Sequence, residues 1–430
     1  MFKWQVVLAH HRAHAIAPTA GRLHVGDNFW CIHFLSLKGY KEIAIGERFG
    51  NLFLLPSRVL IIPDKFKGSL TAYEAAEAIA SGWRAVRPGD AIEMLPMSDG
   101  GEGFGEVVAG ALGLSERLFS VTDAAGRERR IPSWLNAQCD QAVVETAQSN
   151  GLTLLPSGQF HPFDLDTFGV GELLTQLGLA GVKTCIAGIG GSATNDAGFG
   201  MARALGWRFF DEDGQEIQQW IQLDKLASIT QPKPGAWPRV TVASDVTNPL
   251  LGPDGATRVY GPQKGMREED FAQADACFNR LAIIMAEKIG TDFAITPGAG
   301  AAGGLGFGLM AFAGAILRSG FDVFVEVTNL EESIAAADLV LTAEGAIDSQ
   351  TAMGKGTGQV AQLCQRLAKP CVGLAGQLAL GQAERESTAE LFNQLSAVVP
   401  DLASEQESMA DAAGCIERLA KHLAKAQPPY

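Results

Sequence analysis

The sequence predicts an α/β protein of two domains, one inserted into the other. From Arg58 onward, apolar runs that read as buried strands alternate with amphipathic helical stretches. That rhythm belongs to a parallel sheet with helices on its faces. A chain of 430 residues is too long for one ordinary core. The texture also changes near residue 112 and again near 290, as an insertion would make it.

The elements follow in order. "RVLIIPD" (58–64) is a continuous apolar strand, and "SLTAYEAAEAIASGWRAV" (69–86) an amphipathic helix with Ser69 as its N-cap. "DAIEMLPMSDGGEG" (90–103) is a second strand opening into glycines, and "EGFGEVVAGALG" is helical to Gly113. "ERLFSVTDAAGRERRIPSWL" reads as two strands around a turn at Asp123–Gly126, followed by "QAVVETA". "VKTCIA" (182–187) is a short strand ended by Gly188, and "FGMARALG" a helix that stops at Gly206. "RVTVASDVTNPLLG" (239–252) is a strand running into a loop, and "EEDFAQADACFNRLAIIMAEKIG" a long helix. After glycines at 298–308 come "FDVFVEV", a short helix, the strand "DLVLTAEG", a helix near 357–368, "PCVGLAGQ", "LSAVVP" and a terminal helix. The expected division is residues 58–112 with 290–430 as one domain, and 113–289 as the insertion.

Residues 1–57 differ from this body. They hold five of the seven histidines with six Lys/Arg and three acids, and show neither helical periodicity nor strand alternation. They are expected to be an extension outside the fold. His10, His11 and His14 lack the Cys or carboxylate company of a metal site. Seven cysteines without a C-x-x-C pair, and no signal-peptide pattern, fit a reducing, cytoplasmic location. A net charge of −14 argues against broad electrostatic binding of nucleic acid. The uncharged span Gly298–Leu317 contains seven glycines, so it reads as a loop and a buried helix, with no membrane association.

Seven loops gather Gly, Asp, Asn, Glu and Lys: "PDKFKGSL" (63–70), "MSDGGEG" (97–103), "GIGGSATND" (188–196), "ASDVTNPLLG" (243–252), "GPQKG" (261–265), "PGAGAAGGLG" (297–306) and "TAEGAIDSQT" (342–351). In open α/β sheets ligands bind beyond the carboxyl ends of strands, so such loops converge. The body has no G-x-S-x-G, H-E-x-x-H or Walker sequence, and its two histidines, His161 and His422, lie in no motif. Chemistry must then run on carboxylates, lysines and backbone amides, an inventory that suits phosphoryl transfer.

In content and order these loops closely resemble those of the glycerate kinase family, over about residues 58 to 380. The resemblance implies ATP with Mg²⁺, D-glycerate as substrate and 2-phosphoglycerate as product. It also implies a flavodoxin-like domain interrupted by a second α/β domain, with the active site between them. The chain departs from the family pattern in four places: Lys65 stands for a Ser, Ala197 and Ala343 for Gly, and Ala346 for an Arg.

Among these loops Asp196 is the expected base for the 2-hydroxyl, with a helix cap as its competing role. Lys67 is the expected cation, and Asp99 and Asp245 the expected Mg²⁺ ligands. Glycerate or nucleotide is expected at Ser69, at Gly100, Gly101 and Glu102, and at Gly190, Gly191, Ser192, Thr194 and Asn195. Asn248, Lys264, Gly300, Gly303, Gly304, Glu344 and Asp348 complete the expected set. Two other functions fit the same residues: a kinase for another small hydroxy acid, and a non-catalytic binder of sugar acids. Whether the chain forms a homo-oligomer stays open.

Overall fold

The structure, a computed structural model, describes residues 21–25, 28–32, 56–233, 235, 237–352 and 356–426. The chain forms two compact units, 1–56 and 57–428. In the first, β1 (Gly21–Val25) pairs antiparallel with β2 (Asn28–Ile32), from Gly21 opposite Ile32 to Val25 opposite Asn28. This hairpin runs against the expectation that residues 1–57 show no strand alternation. His10, His11 and His14 lie outside the described residues.

The second unit contains β3 (Arg58–Pro63), β4 (Ala91–Met94), β5 (Ser115–Thr122), β6 (Glu128–Leu135), β7 (Gln141–Glu145) and β8 (Thr184–Gly188). It continues with β9 (Arg208–Asp211), β10 (Leu226–Thr230), β11 (Arg239–Ala243), β12 (Ile316–Arg318), β13 (Leu339–Ile347), β14 (Cys371–Leu378) and β15 (Gln394–Val399). Five of these form a wholly parallel sheet in the order β4-β3-β13-β14-β15. Numbered along this sheet that is 2-1-3-4-5, the flavodoxin-like order, whose switch point falls between its first and third strands. Helices cover both faces, which is why β3 is apolar throughout. Val59 and Ile61 pack with Ile79, Trp83 and Leu419 on one side. Leu60 and Ile62 pack with Phe324, Ile334 and Val360 on the other.

The other sheet runs β12-β11-β8-β7-β6-β5. Its first four strands are parallel, and β6 and β5 continue it as an antiparallel hairpin. The expected boundary at 290 does not match sheet membership, because β12 pairs with β11 and no strand joins the first sheet again until β13. The reason is packing. Leu305, Phe307 and Phe312 of helix Ala301–Ala313 are buried in the core of the six-stranded sheet, with Phe199 and Phe209. Glycines at 298–308 mark a joint within that core and not a domain border.

Helix Ala72–Arg84 also starts later than expected. Thr71 is its N-cap, in a capping box with Glu74, while the Ser69 hydroxyl donates to Phe66 O at 3.2 Å. Among the described residues no helix is long and apolar enough to cross a membrane.

Candidate active site

The ends of β3 and β13, at the switch point of the parallel sheet, present two carboxylates. Asp64 directly follows β3; its N–H donates to Ala343 O at 2.7 Å and its Oδ1 accepts from the Lys65 N–H at 2.7 Å. Glu344, near the end of β13, accepts at Oε1 from Thr351 Oγ1 at 2.5 Å and Thr357 Oγ1 at 2.6 Å. Burial, then the negative charge of Asp99, pushes Asp64 up to about 7, and Glu344 adds to the push. Burial pushes Glu344 up to about 6 against its two threonine bonds, with Asp348 and Asp99 contributing. Asp99, in the loop after β4, is thus the common electrostatic neighbour of both. Carboxylates that repel one another this way mark a site built to receive a cation or a proton.

Two cavities open here. One, of about 350 Å³, lies over the ends of β13, β14 and β15, with Asp64, Glu344, Asp348 and Ala346 in its wall. The other, of about 280 Å³, lies beside β4, against Ser98, Glu102 and Tyr73. Lys65, Phe66, Lys67 and Ser69 line both, so the loop after β3 is their partition. Lys65 Nζ donates to Glu102 O at 3.1 Å, and Lys67 is exposed. Lys65 and Ala346, two of the departures from the family pattern, therefore face the same cavity.

The six-stranded sheet holds the "DGGEG" loop against this site. A Cβ on Gly100, whose φ is +103°, would come 2.4 Å from Ala243 O at the end of β11, so only glycine lets the backbones meet. Gly190 N–H donates to Gly100 O at 3.0 Å. Glu145, ending β7, accepts from the N–H groups of Gly103 and Gly105 at 3.1 and 3.3 Å, capping helix Phe104–Leu112 from the opposite sheet.

The expected residues divide into two groups. Lys67, Ser69, Glu102, Glu344 and Asp348 line the cavities, and Gly101 lies within 3.4 Å, at its Cβ position, of Asp99 Oδ1. Asp196 does not reach them. It is fully buried, and accepts from Thr167 N–H and Oγ1 at 2.9 and 2.8 Å, Gly200 N–H at 2.9 Å and Gly198 N–H at 3.1 Å. Burial and Asp166 push it up to about 6 against these bonds. It ties helix Phe168–Leu179 to helix Phe199–Ala204, and its geometry is that of a cap.

The remaining expected binders form an interior knot. Ser192, Thr194 and Asn195 are buried; Ser192 and Thr194 share a 2.9 Å hydroxyl bond, and Asn195 has no side-chain partner among the described residues. The Lys264 ammonium is buried and donates to Thr194 O at 2.6 Å; burial brings it down to about 7, opposed by Asp196. Gly303, at φ +70°, sits where a Cβ would be 2.0 Å from Thr194 O. Gly300 N–H donates to Asn248 O, and Gly304 N–H to Gly300 O. Asn248 bonds Asp254 O and the Tyr260 hydroxyl. Gly191 is exposed and Gly190 half-buried, but the amides of residues 190, 193 and 194 are all spent within the protein. Asp245 is likewise engaged, accepting from Ser319 Oγ at 2.7 Å and from Gly320 and Phe321 N–H at 2.9 and 3.2 Å.

Asp64 was missed by sequence reading, although a signal existed: it is the first polar residue after the most continuous apolar strand. Gln377, in the larger cavity, had no such signal. Among the described residues no three His, Cys, Asp or Glu side chains are gathered closely enough to hold an ion alone. The hard oxygens of Asp99 nevertheless fit Mg²⁺, which takes one or two carboxylates and completes its shell with water and phosphate.

Fold and site together define a two-sheet α/β protein whose acidic crevice, at the switch point of a flavodoxin-like sheet, faces a lysine-bearing loop. The model of the Glycerate kinase family matches residues 59–427, and the chain belongs to that family. It is 38% identical over 372 residues to a glycerate kinase of Halalkalibacterium halodurans, covering 85% of this chain and 97% of that one. It is 39% identical over 350 residues to the glycerate 2-kinase of Escherichia coli, covering 79% and 91%. A crystal structure from Salmonella typhimurium LT2, of a protein assigned as glycerate kinase 2, superposes with a TM-score of 0.73 at 37% identity. That match covers 86% of this chain and 98% of the other.

Proposed function

We propose that this protein transfers the γ-phosphoryl group of ATP to the 2-hydroxyl of D-glycerate, giving 2-phosphoglycerate and ADP. The observation that carries this reading is the pair Asp64 and Glu344 at the switch point, both raised in pKa, beside Asp99 and the Lys65–Ser69 loop. Family membership supplies the acceptor class.

In this mechanism Asp64 takes the proton of the 2-hydroxyl, since a carboxyl raised to about 7 is a far better base than an ordinary one. Lys65 and Lys67 neutralise charge on the transferring group and on the acceptor carboxylate. Glu344, fixed by Thr351 and Thr357, adds its charge to what keeps Asp64 raised. Asp99 would hold Mg²⁺, which when bound would supply charge neutralisation on the phosphate oxygens. Asp196 takes no part in proton transfer.

The test is ADP release from Mg·ATP with D-glycerate, with the product identified by ³¹P NMR. Formation of 3-phosphoglycerate would contradict the position, and no ADP release would contradict the kinase. Lys65, which stands where the family pattern has Ser and lines the smaller cavity, favours a second reading in which another small hydroxy acid is the acceptor. A panel of such acids separates the two by kcat/KM.

A further inference from the structure

We infer that the two cavities divide the reactants. The larger, over β13 to β15, receives the nucleoside of ATP, and the smaller, beside β4, receives the hydroxy acid. This rests on the kinase reading above.

The shared wall comes first. Lys65, Phe66, Lys67 and Ser69 belong to both linings, so ligands filling the two cavities meet across one short loop. Asp64 lines the larger cavity and directly precedes Lys65, which lines both, so the 2-hydroxyl of an acid in the smaller cavity has to project over this loop to reach its base. A phosphoryl group passing from one ligand to the other would cross where the lysines are.

The outer part of the larger cavity has the chemistry a nucleoside needs. Val399, Met409 and Ala412 make an apolar shelf. Met409 is 59% exposed, so a flat heterocycle laid on it would remove apolar surface from water. Gln377, in the same wall, carries a donor and an acceptor on one amide, the complement of a heterocycle's edge. Ser408 and Glu405 lie beyond the shelf and offer a hydroxyl and a carboxylate for vicinal sugar hydroxyls.

The smaller cavity suits a compact monoanion. Ser69 and Ser98 add hydroxyls to the two lysines, while Glu74, Glu102 and Glu106 also line it. Three carboxylates oppose a triphosphate far more than they oppose a single carboxylate. Tyr73 is the one aromatic side chain here besides Phe66, and its hydroxyl lies against Gly110, where a Cβ would be 2.5 Å away. The ring is therefore committed to helix Phe104–Leu112.

Two variants at exposed positions test the division, with Mg·ADP binding followed by calorimetry and glycerate KM by ADP release. Met409→Glu should weaken Mg·ADP binding roughly tenfold or more and leave glycerate KM within about twofold. Glu106→Trp should do the reverse. Met409→Glu protein that binds Mg·ADP like wild type, or a swapped pattern between the variants, would overturn the inference while leaving the kinase reading intact. Wild-type protein that binds no Mg·ADP would overturn both. Thermal midpoints close to wild type exclude misfolding as the cause of either loss.

Discussion

Asp64 and Asp196 carry the same group in opposite surroundings, and their variants should separate base from cap. Asp64→Asn should lower kcat by about 10²–10⁴-fold, the usual worth of general-base assistance, with little change in thermal midpoint. Because a base acts when ionised, wild-type kcat/KM should rise with pH through about 7 and then level, and the variant should lose that rise. Asp196→Asn should instead lower stability by about 1–3 kcal/mol, because one of its two oxygens becomes an NH₂ facing N–H donors. Its kcat should change little; a large fall in kcat at unchanged melting temperature would restore Asp196 as the base. The native state holds the Asp196 proton more tightly than the unfolded chain, so this group's contribution to stability declines as pH rises from 3.8 toward about 6. Ala346→Arg returns a guanidinium to the larger cavity and should lower KM for ATP or glycerate. The gain is bounded by about 1.5–3 kcal/mol, the scale of a charged hydrogen bond.

At the scale of elements, glycine loops that look alike do different work. "MSDGGEG" reaches the cavities, whereas "GIGGSATND" and "GAGAAGGLG" are pressed together in the interior. Gly303→Ala should therefore be severely destabilising, because its Cβ would strike Thr194 O and its φ is +70°. The backbone conformation alone costs about 1–3 kcal/mol, and the collision adds to it; thermal unfolding is the measurement. In Ala197, φ is +51°, so the chain already tolerates one strained alanine in this knot. Why these loops needed glycine was not legible from composition: an amide free to bind an anion and an amide spent on a neighbouring loop have the same sequence. Helix starts were legible only to within a few residues, since Ser69 and Thr71 are both chemically able to cap.

At the scale of the molecule, all strands of both large sheets lie within residues 57–428. Protein beginning at Pro56 should accordingly keep its melting temperature and kcat/KM; insolubility, or loss of most activity, would show that residues 1–55 support the fold. The two sheets meet through the loop after β4, whose Gly100 contacts β11, and through Glu145, which caps a helix of the other layer. These contacts set the walls of the smaller cavity, so the site depends on both sheets even where its acids come from one.

The sequence alone determined the α/β class, the parallel strands, the family and the loops in which chemistry could lie. These follow from local pattern: apolar runs of strand length, helical spacing, and rare residues in fixed order. Only the tertiary structure decided which of the seven loops face solvent together. Asp64 gains its raised pKa from burial first, and then from Asp99 and Glu344, which lie 35 and 280 residues away in the chain. Asp196 loses its access to substrate because helices from 168 and 199 close over it. Charge and burial are properties of neighbours, and neighbours across a sheet are fixed by strand order, which no local pattern states.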